Sequence, residues 1–203
     1  MLMRKLSIGY VVLLPDSKGA QITGESSEFC FKHSVNCNPS STLLTIDENG
    51  RGGTKISTSK PYTVLQSSIF KALRDAFLKE SDVLNLTLIK LVEPFSVCYA
   101  AERITRTIMG PRVPAIDLVL HSDEVYWRIY GSNSMVRIRS ENIDGWCLRF
   151  VDGGFEPKAS IVIGGHQFED NLLQFDLERE RLGFISSLLS RSTNCANFDF
   201  KTK

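Results

Sequence analysis

Beyond Thr42, apolar residues mostly recur at every second position in short runs broken by polar turns, the pattern of strands with one buried face. "STLLTIDENGRGGTKIS" predicts a strand, a polar turn around Asp47 to Gly50, and a second strand ended by Pro61. The period then lengthens. Ile69, Phe70, Leu73 and Phe77 fall on one helical face and Lys71, Arg74, Asp75 and Lys79 on the other, with Ser67 or Ser68 as the expected cap. "IDLVLHSDEVYWRIYG" predicts two strands around a turn, "MVRIRS" another, and "CLRFVDGG" another closing on a glycine pair. "ASIVIGGHQFEDNLLQFDLERERLGFISS" divides into a buried strand, Ile161 to Ile163, a glycine break, a short helical segment and a hairpin turning at Arg179 to Arg181. No repeat, low-complexity tract or linker interrupts the series. One mainly β domain with one or two short helices is expected.

With 203 residues, 42% of them hydrophobic, the chain can fill a core of its own. Its 24 Lys and Arg nearly balance 23 Asp and Glu, and no dense basic run or RNA-binding motif is present, so nucleic acid is not an expected partner. No stretch approaches the roughly 18 apolar residues of a spanning helix, and no membrane partner is expected. Leu6 to Leu14 forms a nine-residue apolar run behind a basic start, as in a secretory leader, but Asp16 and Lys18 near any cleavage point favour a plain strand. Five cysteines, Cys30, Cys37, Cys98, Cys147 and Cys195, show neither CxxC nor metal-finger spacing, and their odd number leaves one without an intramolecular partner in an oxidising compartment. Asn85-Leu86-Thr87 is an N-glycosylation acceptor pattern, whereas Asn38-Pro39-Ser40 is excluded by its proline.

The motifs of common enzymes are missing. GxSxG is absent, and His33, His121 and His166, the three histidines, lie in no recognisable triad setting. His121-Ser122-Asp123-Glu124 carries metal-ligating residue types, but a polar turn between apolar strands accounts for it, and no metal or cofactor is expected. The glycine pairs at 52–53, 153–154 and 164–165 form neither GxGxxG nor a Walker loop, and read as turn and close-packing glycines.

"GGTKISTSKPYTVLQSSIF", "GPRVPAIDLVLHSDEVYWRIYGSNSMV", "CLRFVDGG", "SIVIGGHQFEDNLLQFDLERERLGF" and "NCANFDF" occur in the order found in the C-terminal lobe of plant pepsin-like proteins. The chain resembles the family of extracellular dermal glycoprotein, basic 7S globulin and xyloglucanase inhibitors, related to the cereal xylanase inhibitors. The likeness covers residues 22–203, while residues 1–21 match little. It implies a single C-terminal lobe of the bilobal pepsin-like (acid protease, peptidase A1) β-barrel fold. Active pepsin-like proteases carry Gly-Gly-Thr-Ile-Ile-Asp-Ser-Gly-Thr on the equivalent strand. Alignment places Ser57 at the catalytic aspartate, Thr58 at the next hydroxyl and Ser59 at the glycine, a degenerate triplet with no catalytic residue.

Aspartic proteolysis needs two carboxylates that share one proton, and a serine hydroxyl can neither carry that charge nor share the proton. The resemblance also implies a partner lobe with the other aspartate and the flap, which these residues do not include. The chain is therefore expected not to be an enzyme, although its fold alone would class it as an aspartic-type endopeptidase. Cys98 and Cys147 correspond to the lobe's internal disulfide, and Cys195 to the cysteine that the family bonds to the N-terminal lobe. Cys30 and Cys37 are left to pair with each other, with Cys195, or with nothing.

The function so implied is that of a glycoside hydrolase (xyloglucanase or xylanase) inhibitor-like binding protein, or a truncated piece of one. A seed-globulin-like storage or signalling role is the alternative. Glycoside hydrolases hold two carboxylates in a cleft, and an arginine on a rigid loop can pair with them bidentately. Arg103, Arg106, Arg112, Arg179 and Arg181 are the candidate contacts. The expected partners are a microbial glycoside hydrolase and either a separate N-terminal-lobe chain or a second copy of this one, and the expected location is the apoplast or cell wall.

Overall fold

The computed structural model describes residues 9–16, 19–22, 28–30, 41–122, 125–176, 178 and 181–197, with side chains from 43–119, 125–176, 178 and 182–197. His33, Cys37, Asp123, Glu124 and Arg179 lie outside the described residues, as do the side chains of Cys30, His121 and Arg181.

The apolar run near the start becomes strand β1 (Gly9–Asp16), followed by β2 (Gly19–Ile22) and β3 (Glu28–Cys30). Ser41–Leu44, expected as a strand, is instead the one-turn helix α1. The turn at Asp47 forms as expected, closed by Asp47 Oδ1 accepting from the Asn49 and Arg51 amides, but only an Ile46–Gly52 bridge remains of the hairpin. The reason lies in the second strand, β4 (Thr54–Ile56): β2 pairs antiparallel on one of its sides and a later strand parallel on the other, so neither edge is open to residues 41–46. Gly52 makes the crossing, at φ 95°, where a Cβ would fall 2.2 Å from the Thr45 carbonyl oxygen.

β5 (Thr63–Leu65) leads into helix α2 (Ser67–Asp82). Ile69, Phe70, Leu73, Ala76 and Phe77 are buried, at roughly 1.5–3 kcal/mol for each large side chain. The cap is Gln66 rather than either serine: its Oε1 accepts from the Ser68 amide at 2.7 Å. Ser67 Oγ is engaged elsewhere, donating to Asp152 Oδ1 at 2.6 Å.

The remaining strands are β6 (Cys98–Ala100), β7 (Arg106–Thr107), β8 (Gly110–Pro111), β9 (Ile116–Ser122) and β10 (Val125–Ile129). After the short helix α3 (Gly131–Ser134) come β11 (Met135–Ser140), β12 (Ile143–Leu148), β13 (Phe150–Asp152), β14 (Ile161–Ile163), β15 (Leu172–Asp176) and β16 (Arg181–Ile185). The largest sheet runs β13-β5-β14-β4-β2-β1-β16-β15; β10-β9-β3 and β11-β12-β6 form two smaller sheets and β7-β8 a ribbon. No helix among the described residues is long and apolar enough to cross a membrane.

The core lies between the sheets and α2, built on Leu65, Phe77, Tyr99, Ile116, Leu118, Trp127, Met135, Phe150 and Ile161. Trp127 stacks with both Phe168 and Phe184, and its indole N–H donates to Asn171 Oδ1 at 3.1 Å, so the largest buried ring keeps its polar atom satisfied. Cys98 and Cys147 are opposite each other in β6 and β12 and are joined by a disulfide. On β9 and β10, Asp117 forms a bidentate pair with Arg128, whose guanidinium also lies over Tyr126.

Candidate functional site

Two places on the molecule carry the residues singled out by sequence. The first is the loop after β4. β14 runs parallel to β4 in register Ile163↔Ile56, and the Ser57 amide extends the ladder by donating to the Ile163 carbonyl at 2.9 Å. The loop is held from below as well. Gly165 and His166 amides donate to the Lys60 and Pro61 carbonyls, and the Gly164 amide donates to Thr63 Oγ1. A Cβ on Gly164 would fall 2.4 Å from Tyr62 backbone atoms, so only glycine lets the two segments approach.

Beneath them Gln167 is fully buried, its Oε1 accepting from Thr63 Oγ1 at 2.6 Å and its Nε2 donating to the Asn133 carbonyl at 3.0 Å. Asn133 Nδ2 donates in turn to the carbonyls of His166 and Glu169. A satisfied buried network of this kind fixes one loop geometry. On that scaffold stand hydroxyls: Ser57 Oγ lies 3.1 Å from Ser59 Oγ, Thr58 is exposed, and residues 50–66 contain no carboxylate. Next to the loop, His166 stacks on Tyr62 and bonds through Nδ1 to Glu169 Oε1 at 2.7 Å, while Glu169 Oε2 accepts from Arg149 at 3.4 Å. Burial pushes the Arg149 guanidinium down from its ordinary value, and Arg149 Nε has no hydrogen-bond partner among the described residues.

The second place is a cleft of about 230 Å³ lined by Val83, Leu84, Leu86, Arg103, Thr105 and Arg112. Helix α2 ends at one wall, and the 3₁₀ turn Ala101–Arg103 with the β7-β8 ribbon forms the other, tied by the Arg112 amide donating to the Thr105 carbonyl at 2.8 Å. Arg103 and Arg112 are exposed and make no ion pair among the described residues. Arg106 does not join them. Its guanidinium lies over the Trp146 ring at 5.6 Å, beside Arg137, which pairs with Asp144. Of the three candidate arginines whose side chains are described, the structure thus brings together two. Arg181 belongs to β16, opposite Asp176, away from both loops in sequence.

Sequence reasoning missed the cleft's apolar wall and Thr105, because they are assembled from the end of α2 and a ribbon 20 residues later. It also missed the support under the loop. "GGHQ" and "TVLQ" each offer a polar residue in an apolar setting, the one signal that Gln167 and Thr63 are buried together. Among the described residues no group of three His, Cys, Asp or Glu side chains is placed to hold a metal. Cys195 is exposed and has no disulfide partner among the described residues, its amide donating to Asp170 Oδ1.

β4 and β14 lie parallel under the Ser57 turn, and β14 with Gly164 is the hydrophobic-hydrophobic-glycine element that the resemblance to the C-terminal lobe of pepsin-like proteins implies beside it. The model of the family described as xylanase inhibitor C-terminal matches residues 32–186, and the chain belongs to that family. Its relatives include the probable aspartic proteinase GIP1 of Glycine max, 55% identical over 157 residues, and gamma conglutin 1 of Prunus dulcis, 52% identical over 161 residues. These matches cover 77% and 79% of this chain, but 37% and 36% of the relatives. Among solved structures, that of edgp superposes with a TM-score of 0.82 at 44% identity, over 96% of this chain and 49% of that one. Basic 7S globulin from soybean superposes with a TM-score of 0.71 at 31% identity, over 96% and 46%. The chain spans about half the length of these solved relatives.

Proposed function

We propose that this lobe is a proteolytically silent binding module that docks on a glycoside hydrolase through the Arg103 and Arg112 cleft. The observation that carries the reading is the cleft itself: Arg103 and Arg112, without acidic partners among the described residues, line it together with Thr105 and the apolar Val83, Leu84 and Leu86. Such a site suits a carboxylate held at the surface of a partner, because each guanidinium can donate two parallel hydrogen bonds to it. A hydrolase whose cleft presents two carboxylates offers that group. The family's description as xylanase inhibitor supports the same partner class.

Proteolysis is the weaker reading. With Ser57, Thr58 and Ser59 standing where the resemblance puts the catalytic triplet, the loop has hydroxyls to offer and no proton-sharing carboxylates. The disulfide between Cys98 and Cys147 accords with the apoplast or cell wall, since such bonds persist in oxidising compartments. The test is equilibrium binding of the oxidised chain to a fungal xyloglucan-specific endoglucanase, with glucanase activity followed in parallel. Stoichiometric loss of activity supports the reading; a folded chain that neither binds nor inhibits refutes it.

A further inference from the structure

Asn85 is flanked in sequence by Leu84 and Leu86, both of which line the arginine cleft. Its side chain is exposed and its backbone holds φ 52°, a left-handed conformation that asparagine tolerates and that commonly ends a helix. The turn is closed by the Leu84 and Asn85 amides donating to the Ser81 and Asp82 carbonyls. Immediately after it, the Thr87 carbonyl accepts from the Ala100 amide at 2.8 Å, and Leu88 bridges Tyr99 on β6. Asn85 is therefore a fixed point between two residues that line the cleft, held by α2 on one side and by the disulfide-bonded strand on the other. Thr87, which completes the acceptor triplet, is exposed too.

We infer that Asn85 is an N-glycosylation site whose glycan regulates docking at the Arg103 and Arg112 cleft. An N-glycan is bulky and hydrated, and rooted at that point it sweeps the mouth of the cleft. A protein surface that must bring a carboxylate down to both guanidinium groups is obstructed, whereas the unglycosylated lobe presents them openly. The modification would thus set which copies of the chain can engage a partner, without altering the arginines. Gating of this kind presupposes that the cleft docks a glycoside hydrolase, as proposed above.

The experiment uses the full chain secreted from a eukaryotic host behind a leader peptide, with three sequences: unchanged, Thr87→Ser and Thr87→Ala. Thr87→Ser keeps the acceptor triplet and Thr87→Ala removes it, and neither alters the left-handed Asn85. Occupancy of Asn85 is read by peptide mass before and after enzymatic deglycosylation, and affinity is read against a xyloglucan-specific endoglucanase. The expected result is occupied Asn85 in the first two chains, binding weaker by about tenfold or more than for Thr87→Ala, and recovery on glycan removal. Arg103→Ala with Arg112→Ala, introduced into the Thr87→Ala chain, removes the binding. Unmodified Asn85, or equal affinity with and without the glycan while the arginine effect persists, overturns the gating and leaves the docking site standing. Binding by neither form, or binding indifferent to the two arginines, overturns both.

Discussion

Ser57 and Ser59 face each other across 3.1 Å at the turn where β4 ends, two hydroxyls bonded to one another on a loop anchored by Ile163, Thr63 and Gln167. The resemblance puts the catalytic triplet of an active protease on this turn, and residues 50–66 offer hydroxyls there and no carboxylate. The chain should accordingly show no pepstatin-sensitive cleavage of a denatured protein substrate at acid pH. Ser57→Asp alone should not create it, because one carboxylate lacks the partner with which to share a proton. Cleavage by the Ser57→Asp chain would mean that a second acid reaches the loop.

The Cys98–Cys147 bond spans 49 residues and closes a loop between β6 and β12. Chain entropy puts the stabilisation from such a loop at about 4 kcal/mol. Cys98→Ala with Cys147→Ala should lower the unfolding free energy by roughly that amount in urea titrations. A reducing agent should destabilise the unchanged chain similarly and leave the double variant unaffected.

Arg149 is held in the folded state at a cost: its Nε is buried without a partner among the described residues and burial disfavours its charge. Its contact with Glu169 is long, at 3.4 Å, and Glu169 keeps His166 as a second partner. Arg149→Met should therefore be neutral or stabilising by about 1 kcal/mol, measured by thermal or urea unfolding. A loss of more than about 2 kcal/mol would show that the Glu169 pair outweighs the orphaned donor.

Asp144 is held below the ordinary carboxylate range, first by the hydrogen bond from Arg137 and then by the charges of Arg137, Arg139 and Arg106. A carboxylate lowered in the folded state stabilises above its unfolded value, near pH 4, and loses that contribution as the pH falls through the folded value. The difference in urea midpoint between the unchanged chain and Asp144→Asn should be flat above about pH 5 and shrink below about pH 4. A difference that grows on acidification would contradict the sign.

The fold class and the α2 core face were legible because period and burial coincide: Ile69, Phe70, Leu73 and Phe77 are all buried. The hairpin at Asp47 was misread for a tertiary reason. Its turn is local and forms, but whether residues 41–46 become a strand depends on which strands occupy the edges of β4, and those come from residues 19–22 and 161–163. The helix cap was misread for a similar one, since Ser67 Oγ is claimed by Asp152, 85 residues away. At the site, residue types pointed to arginines, yet nothing in the spacing of Arg103, Arg106 and Arg112 tells that β7 turns the middle one toward Trp146. Side-chain direction there is set by a two-residue ribbon too short to carry a pattern.

That divergence gives the most direct measurement of the central claim. Affinity for a xyloglucan-specific endoglucanase is compared for the unchanged chain, Arg106→Ala, and Arg103→Ala with Arg112→Ala. Docking at the cleft predicts a loss of about a hundredfold for the double variant, as expected when partners of desolvated charges are truncated, and little change for Arg106→Ala. Equal losses from both, or a double variant that binds as the unchanged chain does, would contradict it.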